Sequence, residues 1–373
     1  MNQPIITGMG LWTPEHTITN EELVTAYNGW AEQFNNQHAS EIEQGLISAA
    51  PFSNAEFIEK ASGIKSRFAY CKEGILDINR MRPLINERSD EDISIQAEIS
   101  IAAAKAALQS ANKEAKDIDA VIVACSYTQR AYPAIAIEVQ HHLGITGFAF
   151  DMLVACSSGT FGLHRAYEMI KAGTAKSVLV INPEHTSPQV NYCDRDSHFI
   201  FGDVATATLI ESSEQNRAQH SYEIISTKAA TLFSNNIRSN FGYLARVNDT
   251  DPFSSDALFH QNGKKVFKEV CPMAAQHITE HLKENQLQPS DLRRWWLHQA
   301  NINMNHLISK RLLGREATQD EAPIVLDRYA NTASAGSLIA FNLHHEDLQQ
   351  GDYGVICSFG AGYSIGSLLL KKC

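Results

Sequence analysis

The chain has 373 residues, 44% of them apolar and 20% charged, enough to bury a sizeable core as one large domain or two fused halves. A formal charge of -11 argues against a nucleic-acid binder, which needs a concentrated basic surface. Seven cysteines, an odd count without paired C-x-x-C spacing, give neither a disulfide framework nor a zinc pattern, as expected of a reducing cytoplasm. The start, MNQPIITGMGLW, has no basic segment followed by a sustained apolar stretch, and no apolar run is long enough for a membrane span. A cytoplasmic protein is therefore expected.

Along the chain, short β-branched runs alternate with amphipathic stretches, which predicts an α/β layered protein. Two segments fit no such unit: 26–53, polar with interspersed aromatics, and 70–90, which mixes Arg80, Arg82 and Arg88 with Ile75, Leu76, Ile78 and Leu84. Structureless loops of this length are uncommon in compact domains, so both are expected to be helical insertions or a cap. Ile95, Ile99, Ala102 and Ala106 share one face of a predicted helix. Strands are predicted at 120–126, 148–153, 177–182 and 205–211, and later at 324–327 and 354–358. Between these two groups, Phe267, Val270, Ala274 and Ile278 mark a second core-facing helix.

Two parts of the chain echo each other. A helix, Asp117-Ile118-Asp119 and the strand AVIVACS resemble the later helix, Asp291-Leu292-Arg293 and the strand RWWLHQ; FIFGDVATATLIESS resembles the C-terminal CSFGAGYSIGSLLLKK. Both pairs occur in the same order, which favours duplication over coincidence, with halves at 1–215 and 216–373.

Candidate chemistry lies at strand ends. Cys156 follows the strand FAFDMLVA and opens a predicted helix closed by Gly173. At a helix N-terminus the dipole and free N–H groups favour thiolate, although a small buried core cysteine fits the same local pattern. Cys125, Cys357 and Cys193 lack that strand-to-helix setting. His298 ends the strand RRWWL and begins a polar turn; by itself, one of 15 histidines says little. Asn331 sits before a small-residue tail and a predicted helix, where capping alone would explain it. The turn Phe359-Gly360-Ala361-Gly362 either needs positive φ or aims a backbone N–H at an oxyanion.

Taken together, ACSSG at Cys156, His298-Gln299-Ala300-Asn301, Asn331-Thr332, Phe201-Gly202-Asp203 and the terminal FGAG resemble the β-ketoacyl-acyl-carrier-protein synthase III family of the thiolase superfamily, in order and over most of the chain. The opening LWTPEHTITNEEL is similar too, with Thr19 and Glu22 spaced as a capping box. The resemblance implies a duplicated α-β-α-β-α sandwich, a homodimer, and decarboxylative condensation of an acyl-CoA starter with malonyl-acyl-carrier-protein in fatty acid biosynthesis. It also implies roles. Cys156 would carry the acyl group, the N–H groups of Cys156 and Ala361 would hold the oxyanion at ~3 kcal/mol per donor, and His298 Nε2–H and Asn331 Nδ2–H would stabilise the malonyl-derived enolate. Thioesters of CoA and phosphopantetheine would be the substrates, with no metal or redox cofactor required.

By the same resemblance, Phe57 stands where many members put a tryptophan against the CoA adenine, and Asn301 and Gly362 fall among substrate-binding positions. Tyr132 matches an aromatic that floors the neighbouring subunit's acyl pocket. Lys310 and Arg311 match a basic pair that meets the acidic carrier. Departures are Ala361 in a turn that is usually three glycines, Asn303 for an arginine, and Ala61 for the arginine near the adenine. The last implies weaker CoA binding or an arginine from an insertion. Other readings are a related enzyme of secondary metabolism that performs non-decarboxylative acyl transfer or condensation, and a silent acyl-CoA or carrier-binding subunit. A thiolase would want a second catalytic cysteine in place of Asn331, and no glutamate is placed as the acid of a hydroxymethylglutaryl-CoA synthase.

Overall fold

The computed structural model describes residues 3–215, 218, 220–240, 251, 254 and 257–373. In chain order the elements are β1 (Pro4–Trp12), β2 (His16–Thr19), α1 (Asn20–Gln37), α2 (Ala39–Glu43), α3 (Ala55–Ser62), β3 (Ser66–Ala69), α4 (Ile95–Ser110), β4 (Ala120–Cys125), α5 (Ile135–Leu143), β5 (Phe148–Leu153), α6 (Ser158–Lys171), β6 (Ser177–Glu184) and β7 (Val204–Ser212). There follow β8 (Tyr222–Ser234), β9 (Ile237–Ser239), β10 (Phe259–Gln261), α7 (Gly263–Glu284), β11 (Leu292–Leu297), α8 (Ile302–Leu313), α9 (Leu326–Tyr329), α10 (Gly336–Leu343), β12 (Tyr353–Gly360) and β13 (Gly362–Lys372).

The large sheet runs β11-β12-β13-β8-β1-β7-β6-β4-β5. Its two sides repeat one pattern: β4 is parallel to β6, which is antiparallel to β7, as β11 is parallel to β12, which is antiparallel to β13. β1 and β8 pair antiparallel in the middle, and a boundary at 215/216 falls between β7 and β8. Strands such as β4 are buried on both faces, hence their unbroken apolar runs. Ala120, Ile122 and Ala124 face the central helices α6 and α10, while Val121 and Val123 face α4 and α5. In the other half Ile356 and Leu368 join the central core, while Val355 and Leu369 pack on α7 and α8. The outcome is the expected five-layer α-β-α-β-α sandwich, with α6 and α10 in the shared middle layer.

Three local expectations change. The seam of α4 runs through Ile99, Ala103 and Ala107, with Ala102 and Ala106 only half-buried. The cause is the close approach of α4 to β1: a Cβ on Gly10 would lie 2.1 Å from the Ala103 carbonyl oxygen. Residues 324–327 form no strand, because the Val325 N–H donates to Gln299 Oε1 instead of a ladder and the chain turns into α9. Finally, the two long insertions differ. The first continues α1, whose Thr19–Glu22 capping box is present, into α2; Asn28 and Asn35 then hold the return segment, each bonding both the N–H and C=O of one residue, Ser53 and Ala50 respectively. The second, 70–90, contains no helix. Arg80 pins it by donating to the Arg82 and Pro83 carbonyls, and Arg88 by donating to the Ile93 carbonyl, Tyr70 and Glu98.

Burial also sets the response to acid. His198, His277, His281, His298 and His345 are each pushed down to about 4, burial being the largest cause. Unfolded histidine titrates near 6.5, so between these values the unfolded chain binds more protons and stability falls as pH drops. The urea midpoint is therefore expected to be lower at pH 5 than at pH 7. Equal midpoints would show that these rings take up protons without unfolding.

Candidate active site

Cys156 lies in a 3-10 turn, Ala155–Ser157, that runs into α6. The preceding Ala155 has φ +46°, a left-handed conformation costly for a residue with a Cβ, which turns the chain sharply from β5 into the helix. Opposite it comes the β12–β13 turn. Gly360 is required there: a Cβ would sit 2.5 Å from that of Cys156 and 3.1 Å from its Sγ. This contact brings the Ala361 N–H to the Cys156 sulfur, where the N–H of Cys156 itself also points. Two backbone donors thus converge where a carbonyl oxygen would develop charge.

Burial, reinforced by the carboxylate of Glu184, pushes the Cys156 thiol up to about 12, and the two N–H groups only partly oppose the rise. The shift opposes the lowering that a helix start favours, although the residue borders the cavity and is only partly buried.

His298 extends from the end of β11, its own N–H donating to Cys357 O at 2.8 Å. The ring is 2% exposed, stands edge-on to Phe359 with centroids 5.1 Å apart, and is pushed by burial down to about 4, hence neutral at pH 7. Its Nδ1 is buried without a partner. Since an orphaned N–H is costlier than an orphaned lone pair, the proton belongs on Nε2, the nitrogen left to face the cavity. The rest of this motif is scaffolding. Gln299 donates to the Leu297 and Pro323 carbonyls, and Asn301 caps α8 through the Asn303 N–H while its amide nitrogen donates to Ala61 O at 2.7 Å. Asn301 borders the cavity, but its amide is already committed.

Asn331 follows another left-handed alanine, Ala330 at φ +57°. Its backbone is fixed on both sides by the FGD segment: the Asn331 N–H donates to Ile200 O at 2.9 Å and the Gly202 N–H to Asn331 O at 3.1 Å. Its Oδ1 accepts the Ala333 N–H at 2.9 Å. That bond settles the amide orientation, leaving Nδ2–H as the free donor. Asp203 locks the same corner through Ser187 and Tyr70.

Cys156, His298 and Asn331 all border one cavity of about 640 Å³, with Gly360, Phe57 and Lys264 also on its wall. At that wall the guanidinium of Arg195 lies 3.8 Å from the Phe57 ring centroid. Neither insertion supplies this arginine; it comes from the loop between β6 and β7, a position that no motif marked. Gly362 lies outside the cavity wall, one residue beyond Ala361. Tyr132 is 85% exposed and does not line this cavity. Lys310 and Arg311 are exposed in the last turn of α8. Among the described residues no group of His, Cys, Asp and Glu is arranged to hold a metal, and no helix is long and apolar enough to cross a membrane.

A five-layer duplicated sandwich with a cysteine at the start of one central helix, faced by histidine and asparagine from the other half, defines the thiolase-like condensing acyltransferases. Family models described as 3-oxoacyl-[acyl-carrier-protein] synthase III and its C-terminal part match residues 150–231 and 282–372. A β-ketodecanoyl-[acyl-carrier-protein] synthase of Pseudomonas aeruginosa is 54% identical over 93% of this chain and 99% of its own. A β-ketoacyl-[acyl-carrier-protein] synthase III of Granulibacter bethesdensis is 27% identical over the whole of both chains. The crystal structure of 3-oxoacyl-[acyl-carrier-protein] synthase III from Aquifex aeolicus shares the fold, with a TM-score of 0.76 at 23% identity over 99% of both chains. The chain belongs to the 3-oxoacyl-acyl-carrier-protein synthase III family.

Gly360→Ala is expected to displace the Ala361 N–H and lower acylation of Cys156 by about tenfold or more, with little loss of secondary structure by circular dichroism. In the wild type, alkylation of Cys156 by iodoacetamide should keep rising up to pH 10 without a plateau. A plateau near pH 7 would mean that the thiolate is the resting form.

Proposed function

We propose that this enzyme condenses an acyl-CoA starter with malonyl-acyl-carrier-protein, releasing CO2 and CoA, and that Cys156, His298 and Asn331 carry the chemistry. The observation that supports this most directly is the convergence of two backbone N–H groups on Cys156 beside a neutral histidine and an asparagine with a free N–H. The site has donors for two successive oxyanions and no ionised base.

In the first step the Cys156 sulfur attacks the starter thioester. Negative charge builds on the carbonyl oxygen beside the N–H groups of Cys156 and Ala361, the carbon–sulfur bond to CoA breaks, and the cysteine proton ends on the departing CoA thiol. Malonyl thioester then enters. As its carboxylate leaves as CO2, the electron pair moves onto the thioester oxygen, where His298 Nε2–H and Asn331 Nδ2–H donate. The enolate carbon attacks acyl-Cys156, and the cysteine sulfur departs and regains a proton from solvent. A neutral imidazole suits this donor role because it needs no change of charge near pH 7. No metal or redox cofactor enters these steps.

The Pseudomonas relative is named for a ten-carbon 3-oxoacyl product. Carried to this chain, that name supports an eight-carbon starter, since malonate contributes two carbons. Phe57 with Arg195 offers a flat aromatic and cationic face suited to stacking a nucleobase, which supports CoA as the starter's carrier. A homodimer is supported by the free edge of the sheet: β5 ends it with Phe148 and Leu153 exposed, Ile137 of α5 is exposed beside them, and Tyr132 projects from the preceding loop. Cytoplasmic location fits this metabolism.

Cys156→Ala is expected to abolish covalent acylation, read by intact-protein mass spectrometry after incubation with octanoyl-CoA. His298→Ala and Asn331→Ala should still acylate but lose decarboxylation of malonyl-acyl-carrier-protein, each by about 100-fold or more. If either fails only in acylation, the division of roles is wrong. A starter panel from acetyl to dodecanoyl should peak at eight carbons.

For the carrier, Lys310→Glu with Arg311→Glu should raise KM for malonyl-acyl-carrier-protein about tenfold at low salt and leave acylation unchanged, because rim charges act on association with an acidic partner. An unchanged KM would move docking to Lys264, Lys265 and Lys268 at the start of α7.

A further inference from the structure

One fully buried carboxylate near the site has no part in the steps above. Glu184, the last residue of β6, is completely buried. Its Oε1 accepts the Ser126 N–H at 2.9 Å, the Ser334 N–H at 3.2 Å and the Ser334 hydroxyl, while Oε2 accepts the Ser126 hydroxyl. Ser126 follows β4 in the N-terminal half. Ser334 belongs to the C-terminal half, three residues after Asn331, in the 3-10 turn Ala333–Ala335 that leads into α10. The backbone there is strained, with Ala330 at φ +57° and Ala333 at +45°. The same loop presses on the catalytic helix: a Cβ on Gly159 would stand 2.6 Å from the Ser334 carbonyl oxygen.

Resting on the reading that Asn331 serves the malonyl step, we propose that Glu184 is a positioning residue for Asn331, its carboxylate joining Ser126 of one half to Ser334 of the other so that the strained 330–334 loop stays seated against the start of α6. Hydrogen bonds from four donors keep an anion in this interior, and the N–H of the turn before α10 is a favourable place for it. Loss of the acceptor would free the Ser334 N–H, let Ala333 relax out of its left-handed conformation, and release the Ala333 N–H that orients the Asn331 amide.

The charge has a second consequence. Glu184 faces Cys125 at the end of β4, Tyr127 just beyond it, His185 beside it and Cys156, and its field raises Cys125, Tyr127 and Cys156 further. Those two thiols and the phenol stay protonated near neutrality, and burial holds His185 neutral by lowering its pKa. Glu184 is then the group of this cluster that changes charge near neutral pH, burial having pushed it up to about 7. Protonation turns one acceptor oxygen into a donor, so the clamp weakens as pH falls through about 7.

Glu184→Gln and Ser334→Ala test this on the full-length enzyme. In Glu184→Gln, CO2 release from malonyl-acyl-carrier-protein by the octanoylated enzyme should fall about tenfold or more, and the decline of that step below pH 7 should disappear. Alkylation of Cys156 by iodoacetamide at pH 8 should meanwhile become faster, because a negative charge beside the thiol is gone. Ser334→Ala should slow CO2 release in the same direction while leaving alkylation and the acid limb in place. A merely structural role would slow both reactions together. Equal losses in both reactions, or an acid limb that survives Glu184→Gln, would overturn the proposal. If Glu184→Gln does not fold, an undiminished malonyl step in Ser334→Ala overturns it. Should Asn331→Ala itself leave decarboxylation intact, the assignment of Asn331 fails instead.

Discussion

The site depends on the contact between Gly360 and Cys156. The β12–β13 turn of the C-terminal half and the start of α6 from the N-terminal half approach until no side-chain carbon fits between them. That approach delivers the Ala361 N–H to the sulfur and sets Phe359 against the edge of His298. Such a seam between two packed layers is stiff, because close-packed interiors transmit rather than absorb displacement. The two backbone N–H groups are therefore fixed before substrate arrives, as electrostatic preorganisation requires of donors.

Around this contact the protein manages buried polarity by hydrogen bonding rather than by ion pairing. Asp203 is held by Ser187 and Tyr70, Gln299 by three backbone groups, and Glu184 by two serines. Among the described residues, neither carboxylate meets a buried cation in the bonds that hold it. A desolvated charge is tolerated where several oriented dipoles satisfy it, and the same dipoles fix loop geometry. The neutral ring of His298 follows the same principle, since burial favours the uncharged form.

The insertions illustrate a different economy of structure. Asn28 and Asn35 replace a strand partner for a stretch of chain with no sheet to join, and Arg80 and Arg88 do so for the second stretch through backbone carbonyls. Each side chain satisfies backbone groups that would otherwise be orphaned. They leave Leu46, Phe52 and Leu84 at the surface, outside the large sheet and its cores.

The sequence by itself determined the layers, because short unbroken apolar runs and period-3.6 faces are local properties, and the repeated helix–strand pattern was legible at Asp117 and Asp291. It also marked Cys156, His298 and Asn331, since each sits where a strand gives way to small or polar residues within a motif. The tertiary structure decided what those residues are like. The raised thiol of Cys156, the free Nδ2–H of Asn331 and the neutral ring of His298 all follow from surroundings that only the folded chain supplies. Arg195 and Glu184 carried no signal, being ordinary charged residues until folding set one on Phe57 and the other between Ser126 and Ser334. Ala155, Ala330 and Ala333 were equally silent, because alanine does not advertise a left-handed backbone as glycine does; only the packing of the two halves holds them there.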